Sequence, residues 1–162
     1  MSAVHIRPAR AADAAAACEV LRRSIAELCE ADHGNDAQFL GRWLANKTPE
    51  NVAAWIADAG NVVLVAVDGD KIAGVAAMTR AGRISLNYVS PDARFKGVSK
   101  TLLAELERKA AEIGLSRCVL ESTRTARRFY EAAGYREQPG LAADASLPVD
   151  AGNCRPMVKT LG

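Results

Sequence analysis

Hydrophobic positions change their spacing several times along the chain. After a short alternating run from Val4 to Arg7, closed by Pro8, the residues Ala14, Cys18, Leu21, Ile25 and Leu28 recur at intervals of three and four, which predicts an alanine-rich amphipathic helix. The polar stretch Glu30-Ala-Asp-His-Gly-Asn-Asp36 reads as a loop. Phe39, Leu40, Trp43 and Leu44 mark a second helical region. Thr48-Pro49-Glu50 then offers a capping hydroxyl and a first-turn proline for a short helix that stops at Gly60. From Asn61 onward β-rich runs take over. Val62 to Val67, the turn Asp68-Gly69-Asp70 and Lys71 to Thr79 form a hairpin, and a further strand from Arg83 to Val89 ends at Ser90-Pro91-Asp92. Leu102, Leu103, Leu106, Ala110 and Ile113 line one face of a helix closed by Gly114, and Cys118 to Glu121 is a brief strand. A last helix from about Arg124 to Ala133, with Gly134 as its C-cap, leads into Tyr135-Arg-Glu. An Ala/Pro/Gly-rich connection separates it from a closing strand, Arg155 to Leu161.

This order implies an α/β protein with a central mixed β-sheet flanked by helices on both faces. The passage from strand 83–89 through helix 97–113 to strand 116–121 is a parallel βαβ unit. Ligands of such units sit beyond the carboxyl ends of the strands, so chemistry is expected near Val89 and Glu121. A length of 162 residues without repeat or linker fits one domain, 1–162.

Composition narrows the function. With 21 Lys+Arg against 19 Asp+Glu the net charge is +2, too small for a bulk polyanion binder, and an aromatic content of 5% leaves little for a base-stacking platform; no nucleic-acid partner is expected. Cys18, Cys29, Cys118 and Cys154 form no C-x-x-C pair, and His5 and His33 lack ligand spacing, so no metal is expected. The N-terminus has no apolar signal core, and no stretch approaches the roughly 20 apolar residues of a membrane span, which together predict a cytoplasmic protein with no membrane partner.

The segment Asn87-Tyr-Val-Ser-Pro-Asp-Ala-Arg94-Phe-Lys96-Gly97-Val98-Ser99-Lys100 suits a phosphate. Gly97 and Ser99 at the start of a helix permit close backbone approach, unpaired N–H groups point outward, and the helix dipole favours an anion. The competing reading makes Gly97 a helix-start glycine and Arg94 and Lys96 a solvated face. The run Arg94-Phe-Lys-Gly97-Val-Ser99, preceded by Val89-Ser-Pro91, resembles the acetyl-coenzyme A signature Q/R-x-x-G-x-G/A of the GNAT N-acetyltransferase superfamily. Phe129-Tyr130-Glu-Ala-Ala-Gly134-Tyr135 resembles its second element, a helix ending in F/L-Y-x-x-x-G-F/Y. Order and separation match, and the resemblance extends over nearly the whole chain.

That resemblance implies acetyl-coenzyme A as cosubstrate. It implies that backbone groups of Asn87, Tyr88 and Val89 pair with pantetheine amides, with the Val89 N–H as oxyanion donor for the tetrahedral intermediate. It implies that the amides of Phe95, Lys96, Gly97, Val98, Ser99 and Lys100 wrap the pyrophosphate, with Arg94 or Lys96 screening its charge, and that Tyr130 protonates the departing thiolate. Two positions depart from the pattern. Ser99 stands where Gly or Ala is usual, and Thr123 stands where many relatives carry an Asn that contacts the cofactor, which favours a capping role for Thr123 or Ser122.

The general base is not spelled out, since strand 83–89 holds no carboxylate. Glu121 is one candidate and a water held by Asn87 or Ser85 another, and Glu121 reads equally as a surface charge. No cysteine falls in the motif elements, which favours direct attack by an amine over a covalent enzyme intermediate. The acceptor is expected to be the primary amine of a small molecule or peptide. Glu30, Asp32 and His33, with Asp36, read either as an acidic lip that draws in a cationic amine or as a solvated loop. Trp43 reads as core packing or as a wall of the acceptor pocket. A monomer or homodimer is expected. The alternative from another class is a non-catalytic acyl-coenzyme A sensor.

Overall fold

The computed structural model describes residues 4–138 and 155–162. Strand β1, Val4–Pro8, is followed by helix α1, Ala14–Leu28, a one-turn α2, Glu30–His33, then α3, Ala37–Leu44, and α4, Pro49–Ala57. Strands β2, Asn61–Asp68, β3, Lys71–Thr79, and β4, Ile84–Val89, form a meander. Helix α5, Val98–Glu112, leads to β5, Arg117–Ser122, then α6, Arg127–Ala132, β6, Arg136–Glu137, and β7, Arg155–Thr160.

Local chemistry sets the helix starts. Thr48 accepts from the Asn51 N–H and Pro49 occupies the first turn of α4, as the sequence predicts. The stretch 30–36 is not all loop. It forms α2, and Asp36 caps α3 by accepting from the N–H groups of Gln38 and Phe39. Helix α4 ends at Ala57, three residues before Gly60, because Asp58 turns into extended backbone and its Oδ1 accepts from the Gly60 N–H at 2.8 Å. Helix α6 begins at Arg127, later than its pattern suggests. Thr123 reaches forward only weakly, with Ala126 N at 3.4 Å from its Oγ1, and the helix has no side-chain cap.

The β layer is divided into two sheets, each antiparallel among the described residues, so the expected parallel βαβ pairing is reduced to one bridge. One sheet has the antiparallel order β1-β2-β3-β4, and the other has the order β5-β7-β6. They meet at a single parallel bridge, Arg83 with Val119, where the Val119 N–H donates to the Gly82 carbonyl at 2.9 Å. Helix α5 covers one face of the larger sheet, burying Leu102, Leu103 and Leu106 against Leu64, Ala76 and Met78. Full burial of each such leucine contributes roughly 1.5–3 kcal/mol. Helices α1 and α4 cover the other face, where Leu21 and Val52 meet Val65, Val75 and Leu86. A third cluster joins Ile25, Cys29 and Trp43. No helix among the described residues is long and apolar enough to cross a membrane. Cys154 lies outside the described residues.

Candidate active site

Beyond the Arg83–Val119 bridge, β4 and β5 separate, and the carboxyl half of β4 is left with one partner. The Ser90 N–H donates to the Ala73 carbonyl at 2.8 Å, toward β3. Hydrogen-bonding groups alternate sides along a strand, so the N–H groups of Val89 and Asn87 point the other way, into the gap. A bulge between Ala77 and Met78, opposite Ser85, adds to the departure of β4 from its neighbour.

The gap opens into a cavity of about 220 Å³. Leu86 to Val89 form one wall, Leu120, Glu121 and Thr123 the facing one, and Ser24, Leu28 and Cys29 of the α1 end close one side. Tyr130 reaches the cavity from α6, its ring edge-on to Phe129 at 5.1 Å and to Tyr135 at 5.6 Å. Burial pushes the Tyr130 phenol up to about 12. The Asn87 carboxamide makes no hydrogen bond, although both its Oδ1 and Nδ2 are buried. Buried polar groups are almost always paired, so this side chain is suited to a ligand.

At the mouth, the first turn of α5 faces outward. Gly97 has φ +74°, a left-handed conformation favourable to glycine, and a Cβ there would meet nothing within 4 Å. Phe95 also has positive φ and is 90% exposed, with the Arg94 guanidinium 4.5 Å from its ring centroid. Arg94 and Ser99 line the cavity, Lys96 and Lys100 are exposed, and Val98 is buried. A fifteen-residue helix with open N-terminal amides is an anion site in waiting.

A family model, the acetyltransferase (GNAT) domain, matches residues 30–144, well over half of the 162. The chain belongs to the GNAT acetyltransferase family. With it, the protein is an acyltransferase. Among solved structures, a GCN5-related N-acetyltransferase from Rhodopseudomonas palustris is 24% identical with a TM-score of 0.83, covering 99% of this chain and 98% of that one. The PaiA N-acetyltransferase of Thermoplasma acidophilum, solved with coenzyme A, is 19% identical with a TM-score of 0.79 over 98% and 99% of the two chains. YncA of Salmonella typhimurium, solved with its cofactor acetyl-CoA, is 21% identical with a TM-score of 0.69 over 99% and 95%. No curated protein compared with the sequence matches it.

In this GNAT chain the motif residues come together around the gap, whereas Glu30, Asp32, His33 and Trp43 do not line it. Glu121 lines the cavity. Asp32 instead ties α2 to the turn before α6, accepting from the Thr125 N–H at 3.1 Å and from its hydroxyl. Glu30 accepts from Asn35 Nδ2 at 3.0 Å. His33 is a packed residue: Nδ1 lies 2.9 Å from the Asn35 N, and Nε2 lies 3.2 Å from the Ala26 carbonyl oxygen. Trp43 is 2% exposed against Phe39 and His33 and does not line this cavity. Sequence reasoning missed Ser24, Leu28 and Cys29, which follow helical spacing and give no local sign of reaching a site on another element.

Proposed function

We propose that the protein is an N-acetyltransferase that moves the acetyl group of acetyl-coenzyme A to the primary amine of a small molecule or peptide by direct attack. The observation that carries this reading is the gap-facing pair of N–H groups at Asn87 and Val89, in the cavity that Tyr130 also lines. The solved structures with coenzyme A and acetyl-CoA bound support the choice of cosubstrate.

The residues present fit that cosubstrate. The orphaned Asn87 carboxamide and the outward N–H groups of β4 suit an amide-bearing pantetheine arm. The open amides of residues 95–100, with Arg94 and Lys96, suit a diphosphate. When bound, acetyl-coenzyme A supplies an activated thioester carbonyl and a thiolate leaving group. The Val89 N–H stabilises negative charge developing on the carbonyl oxygen. Tyr130 holds its proton across the neutral range and gives it to the leaving sulfur. Burial raises the phenol to about 12, well above a free thiol near 8.5, so the transfer requires that the same burial raise the sulfur's basicity as well. Glu121, across the cavity, accepts the proton of the attacking amine, directly or through one water. The setting belonging to this reading is cytoplasmic, supported by the free thiols Cys18, Cys29 and Cys118 among the described residues.

The test is release of coenzyme A thiol from acetyl-coenzyme A across a panel of polyamines, amino acids, aminoglycosides and peptide N-termini. At least one amine class must stimulate release with formation of its acetamide. Tight cofactor binding with no stimulated release by any amine would overturn transfer in favour of acyl-coenzyme A sensing.

A further inference from the structure

A second cavity, of about 270 Å³, lies on the α1 and α4 face of the larger sheet. It shares Ser85, Leu86 and Tyr88 with the first, so the two spaces adjoin across β4. Its other walls include two cations, Lys47 and Arg83, with Asn46, Asn61 and Thr79 as neutral polar neighbours and Trp55 as an aromatic wall. No Asp or Glu lines it among the described residues.

The cationic end is built into the fold. Lys47 is 3% exposed, and its Nζ donates to Asn46 Oδ1 at 2.8 Å. Arg22 of α1 holds the turn that carries it, donating to the Leu44 and Lys47 carbonyls at 3.0 and 2.9 Å, and the Cys18 thiol reaches the Lys47 carbonyl at 3.2 Å. Lys47 and Arg83 also engage other groups of the protein, so an incoming anion joins or displaces those contacts. A cation held in a partly dry cavity attracts an oxyanion more strongly than one in water does. The opposite charge sits across β4, where Glu121 lines the first cavity.

We propose that the acceptor is a small zwitterion whose amine enters at the shared Ser85–Tyr88 wall, toward Glu121, while its carboxylate or phosphate is held by Lys47 and Arg83. This rests on the acetyl-transfer reading for the amine end; the oxyanion subsite stands on the second cavity by itself. It differs from the acidic-lip reading, in which Glu30 and Asp32 draw in a cationic amine; here Asp32 also accepts from Thr125 and Glu30 from Asn35. The volume suits an acceptor of amino-acid size, with Trp55 and Leu86 offering apolar contact to its body.

Trp55 provides a readout independent of turnover, since the other tryptophan, Trp43, is sealed in a different cluster. Fluorescence titration of the whole protein with L-leucine, O-phosphoethanolamine, L-leucinamide and spermidine separates the chemistries. Saturable quenching by leucine or phosphoethanolamine and not by leucinamide or spermidine is expected, and whichever anion binds more tightly identifies the oxyanion. Arg83→Gln is expected to weaken that binding at least tenfold, with Arg83→Lys partly restoring it, while the thermal shift induced by coenzyme A stays unchanged. Lys47→Met, which keeps the aliphatic stem, is the second variant if Arg83→Gln fails to fold. Equal binding of leucinamide, preference for spermidine, no binding by either anion, or full affinity in a folded variant overturns the proposal. Anion binding together with no stimulated release by any amine of the wider panel leaves the subsite standing and removes the transfer reading instead.

Discussion

Gly74 of β3 lies opposite Val89 of β4, and the Cβ it lacks would fall 2.7 Å from Val98 Cγ1 and 2.9 Å from Leu102 Cδ1. The absence of a side chain there lets the first turn of α5 press against the sheet beside the strand end that borders the gap. Gly74→Val should therefore destabilise the fold by about 1–3 kcal/mol through overpacking. It should also weaken coenzyme A binding by displacing the α5 terminus. Denaturant melts with and without coenzyme A measure both effects, and an unchanged melt would mean that α5 shifts freely.

Gly97 provides the complementary case, because its substitution meets open space. Gly97→Ala should cost about 1 kcal/mol from the left-handed backbone alone. Gly97→Glu should in addition abolish the thermal shift induced by acetyl-coenzyme A, by setting a carboxylate where the diphosphate is proposed to lie. A full shift in Gly97→Glu would remove that cradle.

Tyr130→Phe should keep the affinity for acetyl-coenzyme A and lower kcat by about 10²-fold or more. The wild-type phenol, raised by burial to about 12, stays protonated throughout the working range, so Tyr130 contributes no alkaline loss of kcat below about pH 10. Steady-state kinetics across pH on both proteins decide this, and equal kcat values would reduce Tyr130 to a packing residue.

Asn87 should separate stability from function. Its buried carboxamide has no hydrogen-bond partner, so Asn87→Leu removes an unsatisfied pair of polar atoms and should leave the melting temperature of the free protein unchanged or higher. The same change should weaken coenzyme A binding. A variant that melts lower and binds normally would contradict both halves of the argument.

Asp13 should govern part of the acid sensitivity. Its carboxylate takes two bonds from the Arg7 guanidinium, at 2.7 and 2.9 Å, and one from the Arg10 N–H at 2.7 Å, which joins β1 to the start of α1. The Arg7 hydrogen bonds are the main cause that holds its pKa below the ordinary carboxylate value. A depressed folded-state pKa gives stability that is present above the unfolded value of about 3.9 and is lost as pH falls through the folded one. Asp13→Asn should be less stable than the wild type at pH 7, and the gap should narrow toward pH 3. A gap independent of pH would assign the loss to packing.

The elements most legible in the sequence are those whose cause is local. Thr48-Pro49 fixes the start of α4, and β3 spans Lys71–Thr79 as the β-rich run predicts. Gly97 adopts the left-handed conformation that an open helix start uses. What escaped the sequence depends on contacts between distant segments. His33 looks like a loop residue until its ring is seen bonded to Ala26 and Asn35. Asp32 reads as substrate-attracting charge, yet a residue 93 positions away takes its carboxylate. Lys47 and Arg83 lie in different segments and share no motif, so only folding brings them to one cavity. The parting of β4 from β5 is not legible in the residue spacing itself, because strand spacing reports that strands form and not where neighbouring strands stop pairing.

The smaller sheet has an assembly order written into its topology. Its middle strand, β7, pairs with both β5 and β6 but follows them in the chain, so neither has its neighbour until residues 155–160 have been synthesised. The wall that carries Glu121, paired to Pro156 of β7, therefore gains its neighbouring strand only after the rest of the cavity lining has been synthesised. On a ribosome, the larger sheet is complete in sequence well before that wall acquires its partner strand.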